Sequence, residues 1–130
     1  MIFIDSNIPV YLVGQPHPHK ADAQRLLERL VATRQRLVTS AEVFQEILHR
    51  YAAIARRDAI APAVEALDGL VDNVFGIDIQ DVRRAQGIVL AYPVSARDAL
   101  HVAVMEHHGV KEILTFDQGF DGFPGITRIA

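Results

Sequence analysis

The chain has 130 residues, half of them hydrophobic, and it contains no cysteine. This length suits one domain, residues 1–130, and the lack of cysteine excludes disulfides, thiolate catalysis and cysteine-ligated zinc. The net charge of −3 argues against the strongly positive surface of a general nucleic-acid binder, although cation-binding carboxylates would account for part of it. No apolar run approaches about 18 residues and no basic segment precedes the first one, so we expect a soluble, cytoplasmic protein with no membrane segment.

The first predicted strand ends in a carboxylate. Residues 1–4 form a continuous apolar run, typical of a buried parallel strand, and Asp5 follows directly. Ligands of open α/β sheets bind beyond the carboxyl ends of strands, so Asp5 is a candidate site residue. The alternative is that Asp5 only caps the next helix, with Asn7 as a competing cap and Pro9 near the first turn.

Two helices are predicted next, separated by a loop. The first covers residues 8–13 and stops at a proline-rich loop over residues 14–19. His17 and His19 lie in that loop, where histidines are more often solvated than bound to metal. Apolar residues at helical spacing predict an amphipathic helix over residues 20–35.

A second strand and an amphipathic helix come next. Residues 37–39 are predicted to form the strand, and Ser40 is expected to cap the helix. Glu42, Glu46 and Arg50 recur every fourth residue and therefore share one face of that helix. They form either a solvated pair of Glu and Arg or part of a site.

The middle of the chain continues the alternation of helices and strands. We predict a helix over residues 58–73, a buried strand over residues 74–77 and a helix over residues 79–92. The side chains predicted to face inward on this last helix are Val82, Ala85, Val89 and Leu90.

The last third of the chain contributes two further carboxylates. Ser95 and Asp98 form a capping-box pattern before a helix that is apolar almost all round, and Asp98 could be only the acidic partner of that box. Residues 113–115 are a predicted strand that delivers Asp117 at its end, and residues 126–129 are a predicted edge strand. The alternation predicts a parallel sheet covered on both faces.

Four carboxylates could therefore converge on one crevice. Asp5 and Asp117 follow strands, whereas Glu46 and Asp98 lie in helices that begin near strand ends. Such a group raises its own pKa values by mutual repulsion unless a cation lies among its members. Oxygen ligands favour Mg²⁺ or Mn²⁺ over zinc, and such an ion can activate water against a phosphodiester.

Four motifs in order carry a family resemblance: IFIDSN, TSAEVFQEIL, SARDALHVAVM and ILTFDQGF. The chain resembles the PIN domain from residue 1 to about residue 120, and within that family the VapC-type toxins of toxin–antitoxin pairs. The resemblance implies a metal-dependent ribonuclease with a three-layer α/β/α fold and a mostly parallel sheet of four to five strands. It also implies a VapB-like antitoxin partner and a homodimer.

The same resemblance assigns roles to residues. Asp5, Asp98 and Asp117 match the acidic residues that hold the ion directly or through water, and Glu46 matches the glutamate that orients a water for attack on RNA. Thr115 matches a hydroxyl that orients the site.

Several alternatives stay open at this point. Glu42 competes with Glu46, and Asp121 could join the site. Arg97 is the favoured candidate among the basic residues for guiding RNA. An aspartyl phosphatase would need an acid where Asn7 stands, and a nucleotide-binding domain would need a glycine-rich turn after the first strand. A non-catalytic scaffold that binds protein or RNA remains the main rival.

Overall fold

The computed structural model describes all 130 residues and contains one parallel sheet of five strands. The strands run in the order β3-β2-β1-β4-β5, which confirms the predicted mostly parallel α/β architecture. Their bounds are β1 Ile2–Ile4, β2 Leu37–Ser40, β3 Asn73–Phe75, β4 Glu112–Leu114 and β5 Thr127–Ile129.

Six α-helices connect the strands and cover the sheet. They are α1 Asn7–Val13, α2 Pro18–Ala32, α3 Ala41–Ala53, α4 Ile60–Leu70, α5 Ile79–Ala91 and α6 Ala96–His107, with short 3₁₀ helices at Arg57–Ala59 and Gln118–Gly122. The path from β1 through β2 to β3 moves in one direction and the path from β3 to β4 returns. Right-handed crossovers therefore place α1 to α4 on one face and α5 and α6 on the other, consistent with the packing of α1 on α4 and of α5 on α6. None of these helices has the length and apolar character needed to cross a membrane.

The strand order reverses between β1 and β4, and this switch point positions the site. Ile4 pairs with Leu114, so the two strands end level with each other. The backbone N–H of Asp5 donates to the carbonyl of Leu114 at 3.1 Å, which ties the first residue after β1 to the end of β4. Ligands of open α/β sheets bind at such a point, because crossovers on opposite faces leave a crevice there.

The two central strands are buried throughout. Phe3, Ile4, Ile113 and Leu114 are inaccessible to solvent and belong to a core cluster of 26 buried apolar residues. The continuous apolar runs of these strands thus serve a sheet that helices cover on both sides. The polar residues that follow them are held by a rigid, fully packed support.

Two expectations about the middle of the chain were wrong. The strand over residues 74–77 is not buried, because β3 is an edge strand, and Val74 is 46% exposed. On α5 only Ala85 of the predicted inward residues is buried, beside Ile88. This helix carries two apolar rows, and the one left facing solvent consists of Ile79, Val82, Val89 and Leu90.

Helix boundaries and one cap also differ from expectation. The second helix begins at Pro18 because proline fits the first helical turn, and it ends at Ala32, before Arg34 adopts a φ of 57°. Ser40 does precede α3, but its hydroxyl makes no capping hydrogen bond and is buried without a partner.

Two glycines give a matched test of backbone conformation. Gly109, just after α6, has a φ of +69°, whereas Gly69 lies within α4, and neither has any atom that an added Cβ would meet within 4 Å. We expect Gly109→Ala to lower the free energy of unfolding by about 1 kcal/mol, because only glycine adopts this φ without cost. Gly69→Ala should raise it by about 0.5 to 1 kcal/mol. Urea unfolding measures both free energies. Equal changes in the two variants would contradict the positive φ assigned to Gly109.

Candidate active site

Asp5 is buried at the carboxyl end of β1, with only 4% of its surface exposed. Its Oδ1 accepts from the backbone N–H of Ser6 at 2.7 Å, and its Oδ2 accepts from the hydroxyl of Thr115 at 2.7 Å. Ser6 precedes α1 as its N-cap residue, and neither oxygen of Asp5 accepts a hydrogen bond from an N–H group within that helix. Burial raises the pKa of Asp5 above its ordinary value, despite the opposing effects of His101 and Thr115. Because the Asp5 carboxylate binds Ser6 N–H and Thr115, Asp5 is not merely a helix cap.

Thr115, directly after β4, orients several groups at once. Its hydroxyl donates to Asp5 and accepts from Asn7 Nδ2 at 2.9 Å and from the backbone N–H of Asp117 at 3.0 Å. Asn7 Oδ1 also accepts from the backbone N–H of Phe116 at 3.3 Å. Asn7, which the sequence presented as a competing helix cap, thus joins the ends of β1 and β4.

Glu46 reaches this network from the second turn of α3. Its Oε2 accepts from the Ser6 hydroxyl at 2.9 Å, and its Oε1 accepts from His101 Nε2. Burial opposes ionisation of Glu46, but the hydrogen bond and charge of His101 outweigh it and hold the pKa of Glu46 below its ordinary value. Glu42, one turn earlier, makes no hydrogen bond, so the helix glutamate joined to Asp5 through Ser6 is Glu46.

His101 is the functional candidate that the sequence reasoning missed. Its ring is completely buried in α6, with Nε2 on Glu46 and 3.8 Å from Asp5 Oδ1. Burial opposes its protonation, yet the hydrogen bond to Glu46 and the charge of Asp5 raise the pKa of His101 above its ordinary value. The overlooked signal was its spacing, because His101 follows Asp98 by three residues and so shares its helix face.

Asp98 lies in the first turn of α6, where its backbone and side chain have separate roles. Its N–H donates to Ser95 Oγ at 3.1 Å, but its carboxylate does not return to Ser95, so the predicted capping box is only half formed. Burial, followed by the negative charges of Asp117 and Asp5, raises the pKa of Asp98 to about 6. The carboxylates expected to converge are therefore close enough to repel one another.

Asp117 is the most exposed member of the group. Its Oδ1 accepts from the N–H of Gly119 at 2.8 Å, and a Cβ at position 119 would lie 3.0 Å from that oxygen, so a larger residue there would displace the Asp117 carboxylate. Asp121 does not reach in. It accepts two hydrogen bonds from the guanidinium of Arg128, at 2.7 and 3.2 Å.

Comparison with known proteins identifies the family. The model of the PIN domain matches residues 2–126. The chain belongs to the PIN domain family. This PIN domain is 58% identical to the protein named Ribonuclease VapC13 from Mycobacterium tuberculosis, and the match covers all of both chains. It is 36% identical to Ribonuclease VapC23 from the same species, over 90% of this chain and 93% of the relative.

Solved structures share the fold of this PIN domain. VapC20 of Mycobacterium tuberculosis, described as a toxin that cleaves the sarcin-ricin loop, matches with a TM-score of 0.71 and 24% identity, over 97% of this chain and 98% of that one. VapBC2 from Rickettsia felis, solved with a promoter DNA fragment, matches with a TM-score of 0.75 and 14% identity, over 99% and 98%. These likenesses confirm the three-layer PIN fold.

The donor set of this PIN domain fits a hard divalent cation. Ligand atoms of Asp5, Glu46 and His101 lie within 4.8 Å of one another, but the His101 nitrogen on that side is already committed to Glu46. The carboxylates of Asp5, Asp98 and Asp117 offer oxygens whose mutual repulsion a cation would relieve. The fit supports a site for a divalent metal ion.

The repulsion at Asp98 predicts a pH-dependent stability without metal. Between about pH 4 and pH 6 the folded state holds the Asp98 proton more tightly than the unfolded state, so the contribution of this carboxyl to stability falls as pH rises through that window. Asp98→Asn should therefore raise the free energy of unfolding above pH 6. The raised pKa corresponds to about 3 kcal/mol, which solvent screening of this partly exposed carboxyl lowers to about 1 kcal/mol.

Urea unfolding in EDTA at pH 4 and pH 7.5 measures this effect. The two proteins should differ little at pH 4, and the variant should be the more stable at pH 7.5. Saturating Mg²⁺ should then stabilise the wild type more than the variant, because it binds only the folded site. A variant that is less stable than wild type at pH 7.5 in EDTA contradicts the electrostatic account.

Proposed function

We propose that this PIN domain is a VapC-type ribonuclease that hydrolyses RNA phosphodiester bonds with the help of Mg²⁺ or Mn²⁺. The observation that carries the proposal is the group of repelling carboxylates at the switch point, where the pKa of Asp98 rises to about 6. The full-length similarity to a protein named as a ribonuclease supports it. A scaffold that only binds partners has no need for carboxylates held so close together.

Each residue of the site has a role that its contacts support. Asp5, Asp98 and Asp117 would hold the ion, which when bound polarises the phosphate and lowers the pKa of a water. Thr115 and Asn7 fix the positions of Asp5 and of the backbone before Asp117. These hydrogen bonds hold the Asp5 carboxylate in place without substrate.

Glu46 has the contacts of a group that orients water. It stays ionised because His101 and Ser6 donate to its two oxygens, one each. A carboxylate oxygen has two lone pairs, so each oxygen keeps one to accept a hydrogen bond from water. Glu46 would align that water for in-line attack on phosphorus and take up its proton, with no covalent intermediate on the protein.

The expected partners belong to the same proposal. Structures with this fold include VapBC complexes, which supports a VapB-like antitoxin as partner. Co-purification with a co-expressed small antitoxin tests this, and failure to associate would contradict it.

The exposed apolar row of α5 suits the C2 homodimer, and monomeric wild type in sedimentation equilibrium would contradict the dimer. A cytoplasmic location, which a cysteine-free sequence suits, is tested by cell fractionation.

The experiment for the activity is RNA cleavage by purified, antitoxin-free protein in Mg²⁺, Mn²⁺ or EDTA. A broad set of structured and unstructured RNAs should be used, so that a narrow choice of substrate is not mistaken for inactivity. We expect cutting of at least one RNA in either metal and none in EDTA. Cutting that persists in EDTA contradicts the metal mechanism, and protein that binds RNA without ever cutting it favours the scaffold.

A further inference from the structure

A groove with a volume of about 570 Å³ opens beside the active site, between α2 and the ends of β4 and β5. Phe116 and Gln118 line it, and these are the two neighbours of Asp117 in the chain. The groove therefore begins where the acidic crevice ends. The mechanism described above uses no group in it.

The groove is rich in guanidinium groups. Arg25, Arg29 and Arg128 line it, and Asp22 is the one acidic side chain among the lining residues. Arg25 pairs with Asp22 at 2.9 Å, and Arg128 pairs with Asp121. Arg29 has no carboxylate within ion-pair distance, so its charge is free for an anion. The lining thus has an excess of positive charge in a protein of net charge −3.

Stacked rings form one wall of the groove. His19 lies parallel to Phe116, with ring centroids 4.1 Å apart and an angle of 9° between the planes. Tyr11 packs edge-on against both rings, with centroids at 5.0 and 5.5 Å. His19 and Phe116 remain half-buried, so part of the stack faces the groove. Rings beside a positively charged channel are the features that hold single-stranded nucleic acid.

We propose that this groove is a subsite for single-stranded RNA next to the cut, with Arg29 binding a backbone phosphate and the His19–Phe116 stack contacting a base. The inference rests on the proposed function, since RNA is its substrate. The acidic crevice repels a polyanion, so attraction must come from its surroundings. Arginine suits this purpose, because its planar fork of donors matches a phosphate.

The test measures binding separately from cleavage. A short, fluorescently labelled single-stranded RNA is titrated with protein in EDTA over a range of KCl concentrations, with fluorescence anisotropy as the readout. Wild type is compared with Arg29→Ala, His19→Ala and the matched control Arg36→Ala. Arg36 is exposed and directly precedes β2. It therefore lies at the amino ends of the parallel strands, whereas the site lies at their carboxyl ends.

We expect Arg29→Ala to weaken RNA binding about tenfold at low salt, the typical loss for a hydrogen bond to a charged group. It should also reduce the slope of log affinity against log salt by about 0.7, one phosphate contact of a single strand. His19→Ala should weaken binding about tenfold with the slope unchanged, because stacking involves no counterions. Arg36→Ala should match wild type in both measurements.

Wild-type affinity and salt slope in Arg29→Ala would overturn the inference, as would a wild type that does not bind RNA. The inference would also be overturned if Arg29→Ala bound RNA like wild type but had lost the binding of a poly-glutamate peptide. That result would assign the groove to an acidic protein segment. Cleavage of the same RNA in Mg²⁺ is scored separately. RNA that binds through Arg29 but is never cut contradicts the proposed function while leaving the subsite intact.

Discussion

Asp5→Asn is expected to lower kcat/KM for RNA cleavage by about 10³-fold or more, the largest effect of any substitution considered. The asparagine is the same size as the aspartate, but it removes the negative charge most deeply buried in the site. It also turns an NH₂ group toward Ser6 or Thr115, both of which donate to Asp5 in the wild type. The site would lose a metal-holding oxygen and the alignment of the β4 end together.

Steady-state cleavage of one RNA in Mg²⁺ measures the loss, and circular dichroism with thermal unfolding shows whether the variant is folded. Asp68→Asn is the matched control, because Asp68 is exposed on α4 and makes no hydrogen bond. Its kcat/KM should stay within about twofold of wild type. Folded Asp5→Asn that cuts at the wild-type rate would show that the activity lies elsewhere.

His101→Leu is expected to lower kcat by about 10²-fold with little change in KM. The reason is that His101 never reaches the substrate, since it is fully buried and contacts Glu46 instead. Without its N–H, Glu46 loses one of two donors and its positive partner, so the pKa of Glu46 rises and its orientation is released. His101 is thus a positioning residue, and His101→Gln, which keeps an N–H donor, should recover part of kcat.

The double variant separates positioning from general damage. If His101 acts through Glu46, then Glu46→Gln together with His101→Leu should be no slower than Glu46→Gln alone. Glu42→Gln, one turn away on the same helix, serves as the control and should cut like wild type. If the fold-loss in kcat of the double variant equals the product of the two single losses, His101 has a role independent of Glu46.

The strands in the middle of the sheet could be predicted from the sequence, and the edge position of β3 could not. Continuous apolar runs identified the buried strands β1 and β4 because helices cover both of their faces. The same reasoning wrongly predicted that the strand around Val74 is buried. An apolar run does not reveal that a strand has a neighbour on one side only. On α5 two apolar rows competed, and only tertiary packing decided that Ala85 and Ile88 face inward.

The site was predictable in its charges and not in its connections. Asp5 and Asp117 were recognisable because each follows an apolar strand, which fixes its place at the edge of the sheet. The hydrogen bond between Thr115 and Asp5 joins residues 110 positions apart, and no local pattern encodes it. His101 was hidden in a helix that is otherwise apolar in its centre, where a lone polar residue gives no periodic signal.

The most direct test of the account is Mn²⁺ binding, measured by electron paramagnetic resonance on wild type, Asp98→Asn and Asp78→Asn. Asp78, Asp81 and His107 form a second cluster whose ligand atoms lie within 4.8 Å of one another, and asparagine at position 78 keeps a good helix cap there. We predict that wild type and Asp78→Asn bind Mn²⁺ equally and that Asp98→Asn binds it at least about tenfold more weakly. Wild-type binding by Asp98→Asn with loss in Asp78→Asn would place the ion at the second cluster and contradict the account.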